Sequence, residues 1–156
     1  MVMNSVTVFP DTNVLLHYPP LSQIDWCSLT ASEAVKLVIC LQVIHELDEK
    51  KNDSHLSDRA ARAIKEISGL SESGLPARAD VTLEVFNREV RLVEFPDTLS
   101  PDSKDDRIVH LVKAYQQQHT DEKVAVVTED YGMKLRCKAH GIALFEPDKS
   151  KRLPTP

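Results

Sequence analysis

The chain has 156 residues, of which 42% are hydrophobic, and a formal net charge of −5. This length and composition predict one globular domain with a core of its own, and they argue against a second domain. No stretch approaches the roughly 20 apolar residues of a membrane helix, and the N-terminus lacks the pattern of a secretory signal. Three scattered cysteines without a CxxC pair are typical of reduced thiols. We therefore expect a cytoplasmic protein without a membrane partner or structural zinc.

Predicted strands and helices alternate along the chain. Strands are predicted at 5–9, 35–41, 124–128 and 142–145, and helices at 12–17, 42–51, 56–70, from about 103, and 129–139. The strands at 35–41 and 124–128 are continuous apolar runs, which is typical of parallel strands covered on both faces. Residues 21–32 fit neither period.

Two alternating segments, VTLEVF and EVRLVEF, are separated by Asn87 and Arg88 and predict an accessory β-hairpin. The fold class is therefore α/β, a three-layer α/β/α sandwich with a mainly parallel sheet plus this hairpin. Residues 1–146 are expected to form the domain. Residues 147–156 are polar, basic and rich in proline, and we expect a flexible tail.

Acidic residues recur where apolar segments of this pattern end or begin: Asp11, Glu46, the pair Asp105 and Asp106, and Asp130. In a mainly parallel sheet, ligands bind outside the carboxyl ends of the strands near a topological switch point, so one edge could gather these acids. Carboxylates held together stay ionised only if a cation compensates them. Mg²⁺ and Mn²⁺ prefer oxygen ligands and share their coordination with phosphates. The pattern therefore indicates a divalent-metal site for phosphodiester substrates.

Each acid also has a simpler interpretation. Asp11 and Asp130 could be helix N-caps, and Glu46 could belong to an exposed acidic face. Asp105 and Asp106 lie in a first helical turn, where negative charge favours the helix dipole and a capping box could form. These interpretations would have to hold four times independently, so we prefer the metal site.

Four segments together resemble one family: PDTNVLLH, VIHELDEKK, DDRIVH and VVTEDYGMKLRCKAHG. They look like the PIN domain, a metal-dependent nuclease fold, of the kind found in RNA-processing nucleases and beside PhoH-type ATPases. The resemblance spans roughly Val6 to Phe145. It implies a twisted parallel sheet of four to five strands, with the hairpin as an accessory.

The resemblance also implies roles for residues at matching positions. Asp11, Glu46, Asp105 and Asp130 match the four catalytic acids that hold the metal, and Asp106 is a plausible auxiliary ligand. Asn13 and Thr128 match the polar positions that hold the first acid and orient the site. All four acids are present, so the motifs imply an active enzyme.

The expected activity is Mg²⁺- or Mn²⁺-dependent hydrolysis of single-stranded RNA. We expect the cleavage to be endonucleolytic. The basic residues expected to position the RNA backbone are Lys50, Arg59, Arg62, Lys134 and Arg136. Tyr18 or Tyr131 could stack a base, although lone aromatic residues more often pack in a core.

Two rival classes stay open. A phosphoryl-transfer domain would also gather aspartates at strand ends, but DTN lacks the DxD pattern of the phosphatases. The alternative function is a non-catalytic PIN-like module that binds RNA or protein and needs a partner domain. A protein partner or antitoxin, and a homodimer, are also compatible with the sequence.

Overall fold

A computed structural model describes residues 4–73, 80–89, 91 and 94–156 of the chain. These residues form the strands β1 Ser5–Pro10, β2 Ala34–Cys40, β3 Val81–Phe86, β4 Val124–Val127 and β5 Ala143–Phe145. They form the helices α1 Thr12–His17, α2 Trp26–Thr30, α3 Leu41–Lys50, α4 Ser57–Ser73, α5 Lys104–Gln118 and α6 Tyr131–Ala139. Short 3₁₀ turns lie at Leu21–Gln23 and Lys149–Lys151.

The five strands form one sheet in the order β3-β2-β1-β4-β5, and every pair of neighbouring strands is parallel. Helices flank the sheet, so the predicted α/β sandwich with a parallel sheet is confirmed. The chain builds β1, β2 and β3 in one direction and then returns through α5 to place β4 on the other side of β1. The topological switch point therefore lies between the carboxyl ends of β1 and β4.

Apolar runs make the central strands the core of the domain. All four residues of β4 are buried, as are the last four of β2, because helices cover both faces of the middle of the sheet. From α5, Tyr115 packs its ring edge-to-face against Phe9 and Phe86, which ties this helix to β1 and β3. The core thereby fixes α5, whose first turn carries Asp105 and Asp106.

The segment VTLEVF is a strand, as predicted, and it belongs to the main sheet. As β3 it pairs with β2 in parallel register from Val81 opposite Val35 to Phe86 opposite Cys40. Its alternating burial is that of an edge strand of the main sheet, with one face turned to the core. The second predicted hairpin strand, EVRLVEF, includes residues 90, 92 and 93, which lie outside the described residues.

The unassigned region 21–32 contains α2, which Asp25 caps through a hydrogen bond from the Ser28 amide. At the other end of the chain, Gly141 adopts a positive φ of 71° just after α6, as expected for a glycine that ends a helix. In the predicted tail, the Leu153 amide donates to the carbonyl of His17 at 2.7 Å. The structure thus gives residues 147–156 contacts with the domain, and their flexibility stays a prediction.

Within the described ranges, no helix combines the length and apolar character needed to cross a membrane.

Candidate metal centre

Asp11 directly follows the central strand β1, and the fold buries it: its side chain is 4% exposed. Its Oδ1 accepts a hydrogen bond from the Val14 amide at 3.0 Å, which caps α1. Its Oδ2 accepts a short hydrogen bond from the Thr128 hydroxyl. The capping interpretation is therefore correct for one oxygen, while the second oxygen faces the end of β4.

Thr128 links Asp11 to Asp130. It is fully buried just after β4, and its Oγ1 also accepts a hydrogen bond from the Asp130 amide at 3.0 Å. Asp130 in turn caps α6, because its Oδ2 accepts from the Met133 amide at 2.9 Å. One hydroxyl therefore connects the two acids that stand on either side of the switch point.

Glu46 reaches the same edge of the sheet from α3. Burial raises the pKa of Glu46, Gln42 and Thr12 oppose the rise, and Asp105 adds to it by repulsion. The buried Gln42 donates to Glu46 Oε2 at 3.2 Å from one turn earlier in the helix. Gln42 and Thr12 were not among the predicted site residues. Their spacing, four residues before Glu46 and next to Asp11, is the signal that could have identified them.

Asp105 and Asp106 lie in the first turn of α5 but have different surroundings. Asp106 is 8% exposed and accepts from the Ser100 amide at 2.8 Å and from Arg136 Nε at 2.6 Å. Asp105 is more open, and its Oδ2 lies 3.8 Å from Arg136 Nη1. Both oxygens of Asp106 already have partners, so Asp105 is the freer of the two for an added ligand.

The pKa values of Asp11 and Asp105 show that these acids repel one another. Burial raises the pKa of Asp11 to about 6, and repulsion from Asp105 and Asp130 acts in the same direction against the hydrogen bonds from Thr128 and Val14. Burial and repulsion from Asp130 also raise the pKa of Asp105, although Arg136 opposes the shift. Groups from β1, β4, α3 and α5 thus share one region in which negative charge is poorly compensated.

The donor set fits a hard divalent cation, because every candidate ligand is a carboxylate and the charge is in excess. Yet among the described residues no three His, Cys, Asp or Glu side chains are arranged so that they could hold a metal ion as they stand. The carboxylates are close enough to repel one another, but they are not arranged around one point. Side-chain movement toward an ion would be needed to close the coordination.

The other predicted site residues divide into those near the acids and those engaged elsewhere. Asn13 is exposed in the first turn of α1, and no hydrogen bond among the described residues joins it to Asp11. Tyr18 is 1% exposed and donates to Glu129, so it cannot stack a base. Tyr131 directly follows Asp130 and is 72% exposed. It is the tyrosine of the two that a base could reach.

Most of the basic residues predicted to bind RNA already have intramolecular partners. Arg62 and Arg59 donate to backbone carbonyls at the end of α1, including Leu15 O at 2.9 Å and Leu16 O at 3.4 Å. A helix end leaves such carbonyls without partners, which explains their capture. Lys134 pairs with Glu146, Arg136 pairs with Asp105 and Asp106, and Lys50 lies in the last turn of α3. Their role in RNA binding stays a prediction.

Fold and site together define an α/β domain with acids at the carboxyl edge of a parallel sheet. The chain matches the PIN domain over residues 8–147, and it therefore belongs to the PIN-domain family, whose members are generally nucleases. The predicted family is confirmed.

Among solved structures, a domain of a functionally unknown protein from Methanocaldococcus jannaschii DSM 2661 is 18% identical with a TM-score of 0.58, covering 92% of this chain and 91% of that one. The PIN domain of human SMG5 is 13% identical with a TM-score of 0.46, covering 88% of this chain and 89% of that one. The PIN domain endonuclease Utp24 is 18% identical with a TM-score of 0.49, covering 94% and 89%. At these identities the likeness extends to the fold alone. A comparison with curated protein sequences finds no significant match.

Proposed function

We propose that this protein is a metal-dependent ribonuclease that hydrolyses phosphodiester bonds within single-stranded RNA. The observation that carries the proposal is the buried Asp11 carboxylate at the switch point, whose pKa is raised to about 6 by burial and by its acidic neighbours. Concentrated charge of this kind is costly to the fold, and it is typical of functional sites. Oxygen donors in excess suit a hard cation that also binds phosphate, and membership of a generally nucleolytic family supports that chemistry.

In this proposal Asp11, Glu46, Asp105 and Asp130 would hold Mg²⁺ or Mn²⁺. The ion would lower the pKa of a coordinated water and offset charge on the scissile phosphate. Thr128 holds the Asp11 carboxylate and the Asp130 backbone, which keeps these acids in register when substrate binds. Arg136 lies on Asp105 and Asp106, and its charge lessens the repulsion that the acids exert on an approaching phosphate.

The test is incubation of the purified protein with end-labelled linear and with circular single-stranded RNA, in Mg²⁺ or Mn²⁺ and in EDTA. We expect both RNAs to be cut in either metal and neither in EDTA. Asp11→Asn should reduce the rate at least about a hundredfold, because even groups behind a metal ligand contribute about 10–100-fold. The matched control is Asp121→Asn, an exposed aspartate before β4 at the opposite edge of the sheet, which should stay within about twofold of the original rate.

Cleavage that survives EDTA or Asp11→Asn would overturn the proposal. Cleavage of the linear RNA alone would replace the endonuclease with an exonuclease, because a circle offers no end.

The second candidate is a non-catalytic module that binds RNA or protein, and the lack of a preassembled group of metal ligands among the described residues favours it. This candidate predicts RNA binding without cleavage in either metal. The cytoplasmic location, a protein partner or antitoxin, and a homodimer stay predictions.

A further inference from the structure

We propose that Lys50, Arg59 and Arg152, here called the basic flank, form a phosphate-binding surface that holds the RNA backbone beside the acids. The inference rests on the proposed function, because it names where the same RNA strand continues beyond the metal centre. It also assigns a substrate-binding role to Arg152, which lies in the segment that follows the family match at residue 147.

Backbone contacts place the C-terminal segment on the end of α1. Besides the bond from the Leu153 amide to the His17 carbonyl, Arg59 Nη2 donates to the carbonyl of Pro154 at 2.5 Å. Arg152 itself donates from Nε to Glu129 Oε1 at 3.0 Å. Three separate parts of the chain, α1, α4 and the C-terminal segment, therefore meet here and place Arg59 and Arg152 at the same end of the domain.

Three cations meet in this region, although Glu49 and Asp53 lie close to Lys50. Burial lowers the pKa of His17, and Arg152, Arg59 and Lys50 lower it further, so these three cations lie near the imidazole. At His17 the opposing charge comes from Glu129, whose carboxylate is already bound by Arg152 and by the Tyr18 hydroxyl at 2.7 Å. A protein with an acidic balance overall thus has a local surface that attracts anions.

Two members of the basic flank are connected to the acids: Arg152 through its ion pair with Glu129, and Lys50 through helix α3. Glu129 immediately precedes Asp130, and Lys50 follows Glu46 by four positions on α3, a rise of about 6 Å. A strand whose scissile phosphate lies at the acids would therefore carry a neighbouring phosphate past these cations.

Arg152 is the member best placed to contact a phosphate. Its side chain is 41% exposed, and among the hydrogen bonds of the described residues it uses only Nε. The two terminal nitrogens of the guanidinium remain for a ligand, and they form the planar fork that binds phosphate with two hydrogen bonds.

The test measures binding of a fluorescent 12-nucleotide single-stranded RNA by anisotropy, with Mg²⁺ present and in an Asp11→Asn background that prevents cleavage. Arg152→Gln should weaken binding about tenfold, the effect of losing a charged hydrogen bond. It should also reduce the slope of log K against log salt by about 0.7, the value for one phosphate contact on a single strand. The matched control is Lys149→Gln, which removes the same charge from an exposed position three residues earlier and should change Kd by less than about twofold.

A second variant separates phosphate binding from a structural role of Arg152. Glu129→Gln removes the ion pair but leaves the cation and an acceptor for Tyr18, so a phosphate site predicts unchanged or tighter RNA binding. A purely structural role predicts weaker binding, as in Arg152→Gln, and would overturn the inference. Equal weakening by Arg152→Gln and Lys149→Gln, or no weakening by either, would also overturn it.

The cleavage assay with the unmodified active site is run beside these measurements. If RNA binding depends on Arg152 but the protein cuts no RNA, the proposed activity is wrong and the proposal of the basic flank is supported. If the protein cuts RNA but binding does not depend on Arg152, only the proposal of the basic flank is wrong.

Discussion

The two ends of the central sheet differ in how far their acidic side chains are paired with hydrogen-bond donors and cations. At the amino end, Glu122 accepts hydrogen bonds from Thr7 at 2.6 Å and Tyr115 at 2.8 Å and pairs with Lys36 at 2.9 Å. At the carboxyl end, acids from four elements face one another with Arg136 as their partner on one side. The amino end satisfies its charge within the protein, whereas the carboxyl end leaves negative charge in excess.

The pKa values follow this division. Burial works to raise the pKa of Glu122, but the bonds from Thr7, Lys36 and Tyr115 together lower it. At Asp11 burial prevails, and repulsion from Asp105 and Asp130 adds to it. The ionised form therefore stabilises the fold at one end and destabilises it at the other. Stability that is given up at one place in a fold in this way is typical of a functional site.

The largest effect expected is a gain in stability from Asp11→Asn in the absence of metal. Near pH 7, removing a buried charge whose pKa lies about two units above its usual value should stabilise the fold by up to about 3 kcal/mol. For a domain of this size that corresponds to a rise in Tm of up to about 6–12 °C. The original protein loses this stability as pH rises from 3.8 to about 6, because its folded form binds the proton more tightly than its unfolded form.

Thermal unfolding in EDTA between pH 3.5 and 7.5 checks this prediction. The difference in Tm between the two proteins should be small at the acid end and reach its full value above pH 6. In buffer without EDTA, added Mn²⁺ should raise the Tm of the original protein alone, since a ligand of the folded state stabilises it by mass action. A destabilised Asp11→Asn at pH 7 would mean that the hydrogen bonds of Asp11 outweigh its charge.

At the amino end, Glu122→Ala should have the opposite sign and a smaller size. It removes the partner of Lys36 and leaves the hydroxyls of Thr7 and Tyr115 without their acceptor, at a cost of about 2 kcal/mol. The contribution of Glu122 is complete above pH 4.5 and is lost as pH falls through its lowered folded pKa. Urea unfolding at pH 7 and at pH 3 measures both statements, and Glu122→Gln, which keeps an acceptor, is the milder control. An unchanged midpoint at pH 7 would mean that this network contributes nothing net.

Local sequence was sufficient for the elements that build the site. The apolar runs of β2 and β4 identify a parallel sheet, because strands covered on both faces lack alternation, and the alternation of strands with helices adds β1 to it. The acids that follow two of these strands must then lie at the same edge. Asp11 and Asp130 illustrate the limit of a choice between capping and site: each caps a helix and also stands among the other acids.

Sequence patterns did not predict the contacts between distant parts of the chain. Val81–Phe86 alternates like a hairpin strand, and periodicity does not reveal that its partner is β2. Arg62 and Arg136 carry the same charge as any solvated basic residue, yet one caps α1 and the other pairs with Asp106. The position of Arg152 depends on the contacts of the C-terminal segment, which composition alone predicted to be flexible.

The smallest effect expected concerns Tyr131, and it tests whether RNA meets the carboxyl end of the sheet. This side chain is 72% exposed beside Asp130, where a ring without a packing role can stack on a base. Tyr131→Ala should weaken binding of the 12-nucleotide RNA by about 1 kcal/mol, or roughly fivefold, whereas Tyr131→Phe should retain the affinity. Leu135→Ala is the matched control, because Leu135 is 49% exposed one turn further along α6 and offers apolar area without a ring. Equal losses for Tyr131→Ala and Leu135→Ala would indicate general apolar contact, and no loss for either would mean that the bases do not pass over α6.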